Sequence, residues 1–189
     1  MTHAGDVAIF DRFARFYDYL NPDADADLLA EGLAQAERPV ERVVDLAGGT
    51  GRAARAIDAP ERVVLDASLE MLRQARKNGL DCVGGDATRL PLADESVDAL
   101  VVSDALHHVG DVDGALSEAA RVLRPGGVLV VREYNPATLR GRLLVRGEHA
   151  LGFDSSFLTP DDLARRLHDA GLTPRVRNRG FDYTAAGIR

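Results

Sequence analysis

Between residues 40 and 133, short β-branched and aliphatic runs alternate with stretches of helical spacing, the sequence form of a parallel sheet wrapped by helices. Strands are predicted over 40–46, 62–66, 81–84, 97–103 and 128–133. The first, fourth and fifth are so nearly continuous in apolar residues that both of their faces should be covered. Helix signals fill the gaps. Ser68 stands as an N-cap ahead of Leu69, Leu72 and Ala75, with Gly79 at the far end. Val112, Ala115, Leu116, Ala119, Val122 and Leu123 recur at helical spacing until Pro125-Gly126-Gly127 stops them. Thr159 followed by Pro160, Asp161 and Asp162 marks another helix start, with Leu163 and Leu167 on its buried face and Gly171 at its stop. Two last strands are predicted over 173–179 and 182–188. Ahead of the sheet, Ile9, Phe10, Phe13, Phe16 and Tyr17 form one apolar stripe, which predicts a helix over 6–17 packed across the mouth of the domain.

These elements describe an α/β fold, doubly wound around a mostly parallel seven-stranded sheet, with a helical N-terminal lid. The length of 189 residues suits a single domain, and no repeat or low-complexity linker marks a boundary. Within it, 1–38 reads as the lid, 39–133 as the core, and 134–189 as a substrate-side insertion followed by the last helix and strands. Hydrophobic residues at 46% and charged residues at 28% fit a soluble, folded chain. No apolar run reaches membrane-span length and the first residues lack the blocks of a signal peptide, so a cytoplasmic protein is expected. Cys82, the single cysteine, cannot form an internal disulfide. No Cys/His cluster has zinc-ligand spacing, so no metal is expected. A net charge of -7 argues against a nucleic-acid partner, because phosphate binding needs a basic face. Lys77 is the only lysine among many arginines and aspartates, a composition suited to a GC-rich genome or a saline cytoplasm.

The chemistry concentrates after the first strand. Val43-Val44-Asp45-Leu46-Ala47-Gly48-Gly49-Thr50-Gly51 runs a buried strand into a glycine-rich turn and then a helix, where small residues admit a ligand close to the backbone and the helix N-terminus favours a negative group. Taken alone, the turn also fits the loose dinucleotide pattern. Its neighbours narrow the choice. Asp66 ends the second strand, where a carboxylate can accept from both hydroxyls of an adenosine ribose, and Asp86 ends the third, within reach of an adenine amine. Either acid could instead be a helix cap or turn former. Three such signals at successive strand ends favour a ligand, because open α/β sheets bind at those ends.

The blocks FDRFARFYDYLNP, VVDLAGGTGR, VVLDASLEML, GDATRLPLADESVDALVV, LHHVGD and EAARVLRPGGVLVVREYNP, which cover most of the chain, resemble the class I methyltransferases of the ubiquinone/menaquinone C-methyltransferase type (methyltransferase type 11). That resemblance implies a Rossmann-like fold and S-adenosylmethionine as cofactor. Asp45, Ala47, Gly48, Gly49 and Gly51 would line its methionine end. Asp66 would hold the ribose with Met71 packed nearby, Asp86 and Ala87 would flank the adenine, Ala67 and Ser103 would also bind the cofactor, and Tyr17 would approach from the lid. The quinone branch carries an Arg-Asn pair where this chain has His107-His108.

Methyl transfer from a sulfonium needs alignment and exclusion of water, and a base only if the acceptor must lose a proton. His107 and His108, just past the fourth strand, are the candidate bases, because imidazole titrates near neutral pH. The bland alternative packs one under the following helix and leaves the other solvated. Glu133 and Tyr134 are further candidates at the rim. The segment 135–157 is the expected substrate-specific insertion, mixing Arg140, Arg142 and Arg146 with Leu139, Leu143, Leu144 and Val145; this suits an amphiphilic acceptor or peripheral membrane contact, or equally a solvated mobile loop. The reading is thus a methyltransferase acting on a small acceptor such as a hydrophobic quinone precursor. Two rivals share the fold. One is a nicotinamide-dependent oxidoreductase, which lacks a Tyr-x-x-x-Lys pair here, and the other is a non-catalytic S-adenosylmethionine-binding protein.

Overall fold

The computed structural model describes residues 4–14, 17–20, 24–178 and 180–189. Phe16 and Arg179, which belong to the predicted stripe and sixth strand, lie outside the described residues. Among those described, seven strands form one sheet: β1 (Arg42–Leu46), β2 (Glu61–Asp66), β3 (Asp81–Gly84), β4 (Val97–Ser103), β5 (Leu123–Tyr134), β6 (Thr173–Asn178) and β7 (Asp182–Ile188). Their order is β3-β2-β1-β4-β5-β7-β6. The first five are parallel, while β7 runs antiparallel to both β5 and β6. The order reverses direction between β1 and β4, and in such sheets the crevice at that switch is where ligands bind.

The helices are α1 (Ala4–Phe13), α2 (Tyr17–Leu20), α3 (Ala26–Leu33), α4 (Arg52–Ala56), α5 (Leu69–Lys77), α6 (Val112–Val122), α7 (Leu139–Ala150) and α8 (Pro160–Asp169). A 3₁₀ turn covers Leu106–His108. The period of two along β4 and β5 feeds two cores. Leu100, Val102, Leu129 and Val131 pack on the side of Leu116 from α6 and Leu163 and Leu167 from α8. Ala99, Val101, Val128 and Val130 pack on the side of Leu29 from α3 and Ala53 from α4. Each fully buried Val or Leu among them contributes roughly 1.5–3 kcal/mol. Both faces of the central strands are therefore covered, as their continuous apolar character predicts.

The local start signals work as expected. The Ser68 hydroxyl accepts from Met71 N at 3.1 Å, and that of Thr159 accepts from Asp162 N at 3.2 Å. Beyond shifts of one or two residues at the ends of β1 and β2, three features differ from the sequence reading. The helix predicted over 6–17 is two helices, α1 and α2, and Phe13 of its stripe is 49% exposed. The strand predicted over 128–133 begins at Leu123, so Pro125-Gly126-Gly127 lies within its run, beside a register shift between Val97 and Ala99. The segment 135–157 is largely helical: the Thr138 hydroxyl accepts from Gly141 N at 3.0 Å and starts α7. Its arginines and leucines hid the helix, because they do not sort onto opposite faces.

Candidate active site

The C-terminal ends of β1, β2 and β4 open into one cleft of about 1010 Å³ of empty space, open to solvent. Tyr17, Asp45, Ala47, Gly48, Gly49, Asp66, Ala67, Met71, Asp86, Ala87, Ser103 and His108 all line it. Gly51 and His107 of the predicted set do not.

The cleft's floor is the turn after β1. Asp45 is buried beneath it, where Oδ2 accepts from Ala54 N at 2.9 Å and ties strand to helix. Burial pushes the Asp45 carboxyl up to about 7, against the pull of that backbone bond. A Cβ on Gly48 would lie 2.5 Å from Asp45 Cγ, so the carboxylate can fold under the turn only if this residue is glycine. Gly51 works differently. It has φ +84°, and an added Cβ would meet Leu80 Cδ1 at 2.2 Å, so it serves the packing of α4 rather than the cleft wall.

Asp66 clamps the turn from the next strand. Its Oδ2 accepts from Gly49 N at 2.8 Å and its Oδ1 from Ser68 N at 2.7 Å. Burial raises its pKa despite these bonds. Asp86 Oδ1 accepts from both the backbone and the hydroxyl of Thr88 at 2.9 Å, so it forms a turn and lines the cleft at once. At the end of β4, the Ser103 hydroxyl oxygen is buried with no hydrogen-bond partner among the described residues, an orphaned polar atom on the cleft wall. Such an atom is costly unless a ligand satisfies it.

The sequence reading missed Arg52, Asp104 and Asp6. Asp104 follows β4 with φ +54°, pairs with Arg132, and lies 3.8 Å from Arg52, whose guanidinium sits 5.9 Å over the Tyr17 ring. Burial raises the Asp104 carboxyl, and Arg132 and Arg52 oppose it. The signal for Arg52 and Asp104 is position alone, in the segments that follow β1 and β4, and Asp6, in the first turn of α1, carries none. Over the cleft, the N-terminal helices are tied down by carboxylates. Asp11 accepts from the Ser68 hydroxyl at 2.5 Å, and Asp18 accepts from the Thr50 hydroxyl and lies 3.6 Å from Arg55.

The two adjacent histidines part company. His107 is buried, with Nδ1 2.8 and 2.9 Å from the two Glu133 carboxylate oxygens, Nε2 3.5 Å from Glu148, and its ring stacked 4.0 Å from Phe157. Burial works against its charge, but Glu133 and Glu148 outweigh it and hold the imidazolium up to about 10. His108 lies against Phe10 (4.9 Å between ring centroids) and Phe153 (5.2 Å), with Nδ1 3.0 Å from Asp6 Oδ2. Burial, and then the neighbouring His107 charge, lower its pKa. His107, His108 and Glu148 bring three potential metal-ligand atoms within 4.8 Å of one another, a grouping invisible in chain spacing. The carboxylates on His107 account for its nitrogens without an ion.

Comparison with known proteins agrees with this geometry. Residues 44–131 match the family model of the methyltransferase domain. A demethylmenaquinone methyltransferase of Beutenbergia cavernae is 42% identical over 145 residues, covering 69% of this chain and 58% of the relative. That of Renibacterium salmoninarum is 39% identical over 146 residues, covering 70% and 60%. The chain thus spans less than two thirds of the length of these relatives. A methyltransferase of Thermotoga maritima superposes with TM-score 0.79 at 25% identity, covering 96% of this chain and 98% of that one. Residues 44–131 are thus similar to the methyltransferase domain, and the chain shares the fold of an S-adenosylmethionine-dependent methyltransferase.

Proposed function

We propose that this chain transfers a methyl group from S-adenosylmethionine to a small, hydrophobic aromatic acceptor, with a quinone precursor as the specific reading. The observation that carries it is one cleft joining a cofactor-type floor to an aromatic wall. Gly48, Gly49 and Asp66 form the floor, and Phe10 and His108, packed edge to face, line the same cleft. The residues fit the cofactor: the glycine turn admits its polar end, Asp66 offers a carboxylate to its ribose, and the unpartnered Ser103 hydroxyl awaits a polar group. When bound, the cofactor supplies an activated methyl on a sulfonium. The protein's own share is alignment, exclusion of water by α1 and α2 acting as a lid, and removal of a proton from the acceptor. For that last role His108 is the better base. It lines the cleft and its pKa is lowered, whereas His107 is held charged behind the wall. The similarity to demethylmenaquinone methyltransferases supports a quinone-type acceptor.

Peripheral contact with an anionic lipid surface suits the same acceptor. On α7, Leu139 and Leu143 are exposed beside Arg140, Arg142 and Arg146, none of which is in an ion pair among the described residues. No described helix is long and apolar enough to cross a membrane. Calorimetry with S-adenosylmethionine, S-adenosylhomocysteine and NAD, followed by methyl incorporation into demethylated naphthoquinols, phenols and amines, tests the proposal. Binding of NAD in place of the methyl donor would refute it.

A further inference from the structure

Asp6 belongs to no motif, yet it is 3% exposed and joins three elements. It sits in the first turn of α1, its Oδ2 lies 3.0 Å from His108 Nδ1, and its Oδ1 accepts from Asp154 N at 3.0 Å, on the segment that follows α7. We propose that Asp6 is a positioning residue for His108: it fixes the imidazole as the Nδ1–H tautomer and leaves Nε2 as the ring's proton acceptor, so the base is set only while α1 is seated over the cleft. This rests on the methyltransferase reading and on His108 as its base.

The argument is one of hydrogen-bond inventory. A carboxylate has no proton to give, so the ring nitrogen facing it must carry the hydrogen, and a neutral imidazole has only one. The proton acceptor is then Nε2. For an acceptor hydroxyl the O–H bond breaks, its electron pair stays on oxygen, and the proton passes to Nε2, giving an imidazolium whose Nδ1–H already points at a negative charge. This is the role of the buried carboxylate in a hydrolase triad, here supplied from the lid. The charged and titratable groups facing the ring are Asp6 from α1, His107 from the same 3₁₀ turn and Glu148 from α7. The His107 charge opposes a second charge on His108, and the two carboxylates favour it. Phe10, four residues after Asp6 on the same side of α1, packs edge-on to the same ring, so one helix provides both the carboxylate and a wall. If α1 lifts, His108 loses its orienting partner and its aromatic neighbour together.

The test uses the full chain labelled with ¹⁵N-histidine, in which five histidines are present and His108→Gln identifies the signal. At pH 7.5 (a value set on the basis that imidazole titrates near about 6.5), two-bond ¹H–¹⁵N spectra should show His108 with the hydrogen on Nδ1. In Asp6→Ala the population should move to the Nε2–H form. Asp6→Asn keeps a hydrogen-bond acceptor without the charge, so it should keep the tautomer and lower the His108 titration midpoint; it also serves if Asp6→Ala does not fold. With any naphthoquinol or phenol that the parent methylates, Asp6→Ala should lower kcat by tenfold or more while S-adenosylmethionine affinity stays within twofold. An Nε2–H tautomer in the parent, or an unchanged tautomer in Asp6→Ala, overturns the positioning role. The spectra need neither cofactor nor acceptor, so that failure is distinct from a failure of S-adenosylmethionine to bind in calorimetry, which would overturn the methyltransferase reading.

Discussion

Replacing Glu133 by Gln should expose how much of the stability is held in the buried His107 ion pair, and its pH dependence has a definite sign. Glutamine matches the shape and leaves an oxygen that can accept from Nδ1, so the perturbation is the charge. In the folded chain the two carboxylates hold the His107 imidazolium up to about 10, against burial. In the unfolded chain an ordinary histidine titrates near about 6.5. The folded state therefore binds this proton more tightly. The stability it contributes is fully present below about pH 6.5 and is lost as the pH rises toward 10, at roughly 1.4 kcal/mol per pH unit within that window. Glu148 remains in the variant but lies 3.5 Å away and is less buried, so it recovers only part of the effect. Glu133→Gln should then be less stable than the parent by about 3 kcal/mol at neutral pH, the lower end of what breaking a buried pair costs. The gap should narrow by roughly 1.4 kcal/mol for each unit as the pH is raised, because the parent alone loses a bound proton there. Urea unfolding followed by far-UV circular dichroism at a series of pH values measures this, as the chain has no tryptophan to report by fluorescence. A gap that stays constant from neutral pH into the alkaline range would refute the charged pair and leave shape alone as the cause.

Three further outcomes are expected. Asp66→Ala removes the acceptor of Gly49 N and the ribose carboxylate together, so S-adenosylmethionine affinity in calorimetry should fall by about 1.5–3 kcal/mol, roughly 10- to 150-fold; parental affinity would make the ribose assignment wrong. Gly51→Ala forces a side chain into φ +84° and against Leu80, and should lower unfolding free energy by about 1–3 kcal/mol, whereas an unchanged urea midpoint would contradict the packing drawn for α4. Hydrogen exchange within Ala4–Phe13 should slow when S-adenosylmethionine is added, together with exchange in the turn after β1; protection confined to the turn would show that α1 is not a lid.

The strands and caps were legible because their signals are local. A short unbroken apolar run between polar ends suits a strand covered on both faces, and β4 spans the predicted residues. Ser68 and Thr159 cap the helices they precede because a short hydroxyl side chain reaches the N–H three residues on, wherever the helix later packs. The turn of β1 was equally readable, since Gly48 answers to Asp45 three residues away. Misreadings fell where the determinant was distant. The residues of α7 have no sorted polar face, and the helix is recognisable only once Gly141 closes on the backbone of Asn135 and Glu148 reaches His107. The early start of β5 depends on the pairing of Leu123 with Val97, twenty-six residues upstream.

By itself, then, the chain determined a parallel sheet, its crossover helices and a glycine turn with acidic strand ends, because periodicity, caps and close backbone approach are properties of a few neighbouring residues. Tertiary structure alone decided which of two adjacent histidines faces the cleft. His107 and His108 are chemically identical in sequence, but the 3₁₀ turn directs one toward Glu133 and Glu148 and the other toward Asp6, 102 residues away. Burial and charged neighbours then drive their proton affinities in opposite directions, and those neighbours are brought together only by the fold.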